Sequence, residues 1–244
     1  MSTDKHKGER IAKRMARAGL CSRRDAERWI ADGRVAINGQ VLDTPATLVT
    51  DADEIIVDGT PLQGAEKTRL YLYHKPPDLV TSHNDDQGRR TVFDSLPKGM
   101  PRVISVGRLD LNTEGLLLLT NDGALSRYLE LPQTAWVREY RVRVFGALDH
   151  AGLADLKNGI TIEGVRYKSI DITIENEGKN SWLNVKLTEG KNREIRRVMR
   201  HMNLQVSRLI RTDYGPFSLG NIPMGTVEEI DDQTLKHKIS GFFK

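Results

Sequence analysis

The sequence predicts an α+β protein in two parts. A small helix–helix–hairpin module spans residues 9–60, and a larger domain, residues 70–235, is built on a large mixed, mainly antiparallel sheet. Apolar residues recur at helical spacing between residues 9 and 31. Strand-like runs then outnumber helical ones between residues 70 and 230, which favours a segregated α+β arrangement. Asn-Gly and Asp-Gly pairs between apolar runs supply the tight turns that join antiparallel neighbours. Residues 61–69 read as a linker and 236–244 as a polar tail.

In the first module, residues 1–8 are polar and expected to be disordered. A helix follows from Glu9, with Ile11, Ala12, Met15 and Ala18 on its buried side and Lys13, Arg14 and Arg17 turned away. Gly19 ends it. Ser22 with Asp25 reads as a capping box for a second helix reaching Ala31, which buries Ala26, Trp29 and Ile30 and exposes Arg23, Arg24 and Arg28. Short strands lie around Val35–Ile37, Val41 and Ile55–Val57, with turns at Asn38-Gly39 and Asp58-Gly59. The arginines, Arg34 among them, crowd the helix ends, where backbone N–H groups also favour phosphate.

The larger domain opens with a strand, Leu70–Tyr73, closed by Pro76-Pro77. Ser82–Arg90 is a polar loop, Phe93–Leu96 a helical turn stopped by Pro97, and Val103–Val106 a strand. Gly107–Gly123, GRLDLNTEGLLLLTNDG, then sets Asp110 before a tight bend, Asn112–Gly115, and a buried strand of leucines. Ala124–Leu131 is helical. Trp136–Phe145 alternates, with Tyr140, Val142 and Val144 on one face and Arg141, Arg143 and Phe145 on the other. A helix after Asp149 carries Leu153 and Leu156, and strands are expected around Ile160–Ile162, Ile170–Ile174 and Trp182–Leu187. The helix Arg193–Met202 buries Ile195, Val198, Met199 and Met202, leaving Arg193, Arg197 and Arg200 outward and Arg196 at the border. Strands Val206–Arg211 and Thr226–Ile230 complete the sheet, and the polar tail, Asp231–Lys244, is compatible with a weak helix.

A net charge of +4, from 37 basic and 33 acidic residues, permits nucleic-acid binding, and the clustering of the basic residues before residue 34 and over 191–211 favours it. The single cysteine, Cys21, excludes an intramolecular disulfide and a Cys-rich zinc site. His6, His74, His83, His150, His201 and His237 show no ligand spacing, so no metal is expected. With neither a secretory signal nor an apolar run long enough to span a bilayer, a cytoplasmic protein with no membrane partner is expected. The remaining constellation is a carboxylate, Asp110, a phenol, Tyr140, and the later arginines. It suits electrostatic or covalent work on an anionic polymer better than paired-acid glycoside hydrolysis, since no second carboxylate is placed beside the first.

Five stretches in order carry a resemblance: YLYHKPPDLVTSHNDDQGRRTVFD, GRLDLNTEGLLLLTNDG, REYRVRVFG, LTEGKNREIRRVM and VSRLIRTDYGPFSLG. They are similar to the motifs of the RsuA/RluB family of bacterial ribosomal-RNA pseudouridine synthases. The first module resembles the S4 RNA-binding domain that often precedes this catalytic domain. The resemblance implies a pseudouridine-synthase fold and a reaction without cofactor or metal, in which uracil leaves C1′, rotates and rejoins through C5. It makes Asp110 the catalytic aspartate and Tyr140 the aromatic residue that packs on the base and is placed to take the C5 proton. Arg196 is then expected to pair with Asp110, and Leu209 to line the uracil pocket. Arg108, Lys191, Arg193, Arg197, Arg208 and Arg211 form a supporting basic set on backbone phosphates. Lys13, Arg14, Arg17, Arg23, Arg24, Arg28 and Arg34 would serve the S4-like module. Whether Asp110 attacks C6 or C1′, or stabilises an oxocarbenium-like species, stays open.

The loop after Ser82 and the Tyr140 strand look closer to the large-subunit type, RluB, so a uridine in 23S rRNA, free or in a partly assembled subunit, is the expected substrate of a monomeric enzyme. A 16S site or another 23S site is the alternative. A non-catalytic rRNA-binding or assembly factor would share the basic regions but would not need Asp110 with Tyr140. DNA binding fits less well, as no long basic recognition helix is evident.

Overall fold

The computed structural model describes residues 8–243, so the expectation of disorder for residues 1–8 falls, but for Gly8, outside them. The chain separates into two units. One runs up to Thr68 with short returns at Pro101–Val103 and Asn121–Gly123, and the other comprises the remainder.

In the first unit the helix Ile11–Arg17 buries Ile11, Ala12 and Met15 against Ala26 and Ile30 of the helix Arg23–Ala31. The second helix starts where the sequence places its cap: the Asp25 N–H donates to Ser22 Oγ at 3.0 Å and the Ser22 N–H to Asp25 Oδ2 at 3.4 Å. Asn38 and Gly39 both have positive φ, 49° and 83°, the conformation of a two-residue hairpin turn, and pair Ile37 with Gln40. Asp58-Gly59 does the same for Val57 and Thr60. The module therefore runs past its expected end at residue 60. Thr60–Pro61 is a fourth strand, proline being tolerated on this edge, and Leu62 packs on the core. Trp29 is half-buried rather than buried, with Arg34 stacked over its ring at 4.4 Å.

The second unit is one mixed sheet. Its main path runs Ile170–Asn176, Asn180–Leu187, Arg138–Phe145, Gln205–Tyr214, Glu114–Thr120, Leu70–Lys75 and Val227–Ile230. Every neighbour on this path is antiparallel except one: Gln205–Tyr214 lies parallel to Glu114–Thr120, with Ile210 opposite Glu114 and Arg211 opposite Gly115. Both faces of Glu114–Thr120 are covered, which is why its sequence is a continuous leucine run rather than an alternation. Leu116 and Leu118 face Leu125 and Leu129 of the helix Gly123–Glu130, together with Tyr214 and Phe217. Arg138–Phe145 has only one covered face and alternates as expected.

One expected boundary is corrected, and one short strand is additional to those expected. The segment after Asp231 is a capped helix, Asp232–Lys238, and Leu235 and Ile239 are buried in the main core, so residues 236–244 are not simply a polar tail. A short strand, Val165–Tyr167, pairs with Ile160–Ile162 across a turn with positive φ at both Glu163 and Gly164.

Candidate active site

The strands Gln205–Tyr214 and Arg138–Phe145, the loop before Glu114 and the start of the helix Glu194–His201 enclose a cleft of about 570 Å³. Asp110 lies in its wall with Arg108, Tyr140, Leu209, Lys191, Arg193, Arg196 and Arg211. Tyr140 and Leu209 point the same way because each sits on the covered face of its strand, and both are more than nine-tenths buried. Arg197 and Arg208 do not line this cleft.

The Asp110 loop is pinned through its backbone carbonyls. Thr81 Oγ1 donates to the Leu109 carbonyl at 2.8 Å. Lys75 Nζ, fully buried, donates to Leu111 O at 3.1 Å, Thr113 O at 3.0 Å and Pro76 O at 2.9 Å. The Asp78 N–H also donates to Leu111 O. Arg196 Nη2 donates to Asn112 O at 2.9 Å. The carbonyls of residue 109 and of residues 111–113, on either side of the carboxylate, thus have defined partners, and the Thr113 N–H closes the turn on Asp110 O at 3.0 Å. The signal for Lys75 is in the sequence: Tyr71, Tyr73 and Lys75 share one strand face, and the first two are buried.

Arg196 does not make the ion pair with Asp110 expected of it. The guanidinium nearest the carboxylate is that of Arg193, with Nη1 3.7 Å from Asp110 Oδ2. Arg193 caps the helix in a left-handed conformation, φ 51°, which throws its side chain toward the loop instead of along the helix. Arg196, nearly one turn later, is half-buried beneath the loop. Burial and the neighbouring Arg193 lower its pKa while Asp110 opposes them.

The expected phosphate set is also revised. Arg211 is buried, its Nε donating to Leu116 O at 2.7 Å, because strand register places it inward across from Tyr140. Arg208 projects from the opposite face and makes a two-bond ion pair with Glu114 at 2.9 and 2.8 Å. Arg108 and Lys191 are exposed, and Lys191 is engaged by Glu189 at 2.5 Å.

In the first unit most of the basic candidates are already partnered. Lys13 and Arg14 meet Glu9, Arg14 also meets Asp51, Arg17 donates to Thr68, Arg28 meets Asp25 and Arg34 meets Asp58. Arg23 and Arg24 are exposed at the start of their helix, and no ion pair to either occurs among the described residues.

Residues 69–201 match the model of the RNA pseudouridylate synthase family, and residues 9–55 match the S4 domain. A Rickettsia felis protein described as an uncharacterized RNA pseudouridine synthase is 46% identical over 229 residues, 93% of this chain and 99% of that protein. The ribosomal large subunit pseudouridine synthase B of Shigella flexneri is 44% identical over 91% of this chain and 80% of its own length. That of Haemophilus influenzae is 41% identical over 96% and 68%. A crystal structure of a pseudouridylate synthase shares the fold, with TM-score 0.67 and 24% identity over 93% of this chain and 99% of that one. With an S4 domain ahead of a matched catalytic domain and relatives above 40% identity over nine-tenths of its length, the chain belongs to the RNA pseudouridylate synthase family.

Proposed function

We propose that this RNA pseudouridine synthase isomerises one uridine of 23S ribosomal RNA, with Asp110 as its catalytic carboxylate. The observation that carries the reading is the cleft itself. It brings the Asp110 carboxylate, a buried tyrosine and an apolar wall together, with Arg108, Lys191 and Arg193 also in its lining. An RNA strand brings phosphates to Arg108, Lys191 and Arg193, and its target base must leave the stack to reach Asp110. Tyr140 offers a face for the flipped uracil and Leu209 an apolar flank, which offset the lost stacking.

The bond between C1′ and N1 breaks, the uracil turns within the cleft, C1′ bonds to C5, and the C5 proton leaves while N1 takes one up by exchange with solvent, so that product and substrate are isomers. Asp110 acts as nucleophile or as the counter-charge to a cationic sugar, with the Arg193 guanidinium 3.7 Å from its carboxylate. Tyr140 is the proposed acceptor of the C5 proton. Arg196 works on the loop rather than on the substrate: by holding Asn112 O it fixes where the carboxylate stands. The large-subunit target is supported by the names of the Shigella flexneri and Haemophilus influenzae relatives.

Asp110→Asn is isosteric, so it should fold and bind RNA normally yet release no tritium from RNA containing 5-tritiated uridine. Tritium release at the wild-type rate would remove Asp110 from the chemistry. Mapping pseudouridines in 16S and 23S rRNA from cells with and without the gene identifies the target, and a lost site in 16S alone would overturn the 23S assignment.

A further inference from the structure

Besides Asp110, the cleft wall holds a pair of acids, Glu189 and Glu194, that the reaction does not use. Glu194, the first residue of its helix, is 4% exposed. One of its oxygens, Oε2, accepts the Lys191 N–H at 2.9 Å. The other, Oε1, is buried with no donor among the described residues, and the carboxyl it faces is that of Glu189. Glu189 is fully engaged on its other side: Oε1 accepts the Lys168 N–H at 2.8 Å, and Oε2 accepts Lys191 Nζ at 2.5 Å. Two carboxyl groups in contact, one of them buried without a donor, are compatible only if a proton lies between them. The charged groups facing Glu194 are Glu189 and Lys191, both from the same turn, with Arg193 adjacent in the chain.

That turn matters to the site, because its last residue is Arg193. Both ends of Glu189–Glu194 are fixed by these two acids, and Lys191 Nζ ties the middle to the Arg166 carbonyl at 2.8 Å. The left-handed backbone at Arg193 is an uncommon conformation for a non-glycine residue and persists only where the surroundings hold it. We infer that Glu194 is a positioning residue: in its neutral form it donates a hydrogen bond to Glu189 and braces the turn that sets Arg193 against Asp110. The inference rests on the reading of Asp110 as the catalytic carboxylate.

Burial pushes the Glu194 carboxyl up to about 7, and Glu189 adds to the shift while the Lys191 N–H and ammonium oppose it. Glu189 moves below its ordinary value, because Lys191, the Lys168 N–H and Glu194 donate to it against the effect of burial. Neutral pH is therefore where the brace changes state. Above it Glu194 ionises beside Glu189, and like charges at this separation spread the turn and withdraw Arg193.

The test compares the pH dependence of single-turnover conversion between pH 6 and 9, each protein normalised to its own rate at pH 6.5. Glu194→Gln supplies a permanent amide donor to Glu189 and cannot ionise. The wild type is expected to decline several-fold relative to Glu194→Gln above pH 7, with the change in kcat rather than KM. Glu189→Gln, which removes the like charge beside Glu194, should also flatten the profile if Glu194→Gln folds poorly. Parallel profiles for the wild type and both variants overturn the inference while leaving turnover, and so the Asp110 reading, intact. Independently of turnover, carbon-13 spectra of glutamate-labelled wild-type protein should show one carboxyl titrating near pH 7 that is missing from Glu194→Gln. Its absence from the wild type overturns the pairing even if no RNA is converted.

Discussion

At the scale of single residues, the loop that carries Asp110, the proposed catalytic carboxylate, is held by buried groups outside the cleft lining. Lys75 is the clearest of these. Its ammonium is buried with three carbonyl partners, two of them in the loop after Asp110. Lys75→Met keeps the length of the side chain and removes the donors. The Leu111 carbonyl retains the Asp78 N–H, but Thr113 O loses the bond that Lys75 supplies. Leaving a buried acceptor unpaired costs roughly 1–3 kcal/mol, and the loop should loosen with it, so both stability and turnover are expected to fall. Burial lowers the Lys75 pKa from 10.5 to about 8 against Asp78, Asp110 and Glu114. The unfolded chain then binds more protons than the folded one between those two values. Wild-type stability should consequently rise from pH 8 to 10.5 relative to Lys75→Met, as read from denaturant midpoints at each pH. Equal pH dependence in the two proteins would show that Lys75 is not held as a buried ammonium. Arg196 makes a related point: rather than meeting Asp110 itself, it holds the neighbouring carbonyl and leaves the ion pair to Arg193.

At the scale of elements, the single parallel pairing in the sheet is where the site is built, and one glycine permits it. Gly115 has φ +101°, and a Cβ there would lie 2.2 Å from the Arg211 carbonyl oxygen and 2.7 Å from its nitrogen. Those are backbone atoms of the partner strand, so no side-chain rotation relieves the clash. Gly115→Ala should combine a disfavoured φ, roughly 1–3 kcal/mol, with a similar penalty for overpacking. A fall of about 3 kcal/mol or more in unfolding free energy is expected, with conversion reduced in whatever protein remains folded. A melting temperature within a degree or two of wild type would show that the strands can part. The sequence made the elements around this crossing legible but not the crossing. Alternation identified Tyr140, Val142 and Val144 as one face, and the leucine run marked a strand covered on both sides. Register between strands nearly a hundred residues apart leaves no local pattern, so the inward turn of Arg211 and the pairing of Arg208 with Glu114 were not readable. The choice between Arg193 and Arg196 depended on one left-handed residue at the helix entrance, which side-chain periodicity does not encode. Glu194 was nearer to legible, since it precedes Val198 by four residues on the buried stripe.

At the scale of the whole molecule, the basic residues divide into those that hold the fold and those free to hold RNA, a division composition alone does not make. In the S4 domain Arg34 stacks on Trp29 and binds Asp58, and Arg14 bridges Glu9 and Asp51, so both are committed to structure. Arg23 and Arg24 open the helix Arg23–Ala31, beside backbone N–H groups that also favour anions, and both are exposed. If they meet phosphates, the double variant Arg23→Ala/Arg24→Ala should weaken RNA binding at low salt. It should also reduce the slope of log affinity against log salt by up to about two, roughly one for each phosphate no longer neutralised. Its melting temperature should stay near that of wild type. Arg34→Ala should do the reverse, lowering the melting temperature while leaving the salt slope nearly unchanged. An unaltered slope in the double variant would move the RNA-binding surface of this domain elsewhere. A reduced slope together with normal conversion of a short RNA carrying only the target site would separate capture of the RNA from chemistry, leaving the cleft around Asp110 to act on whatever strand reaches it.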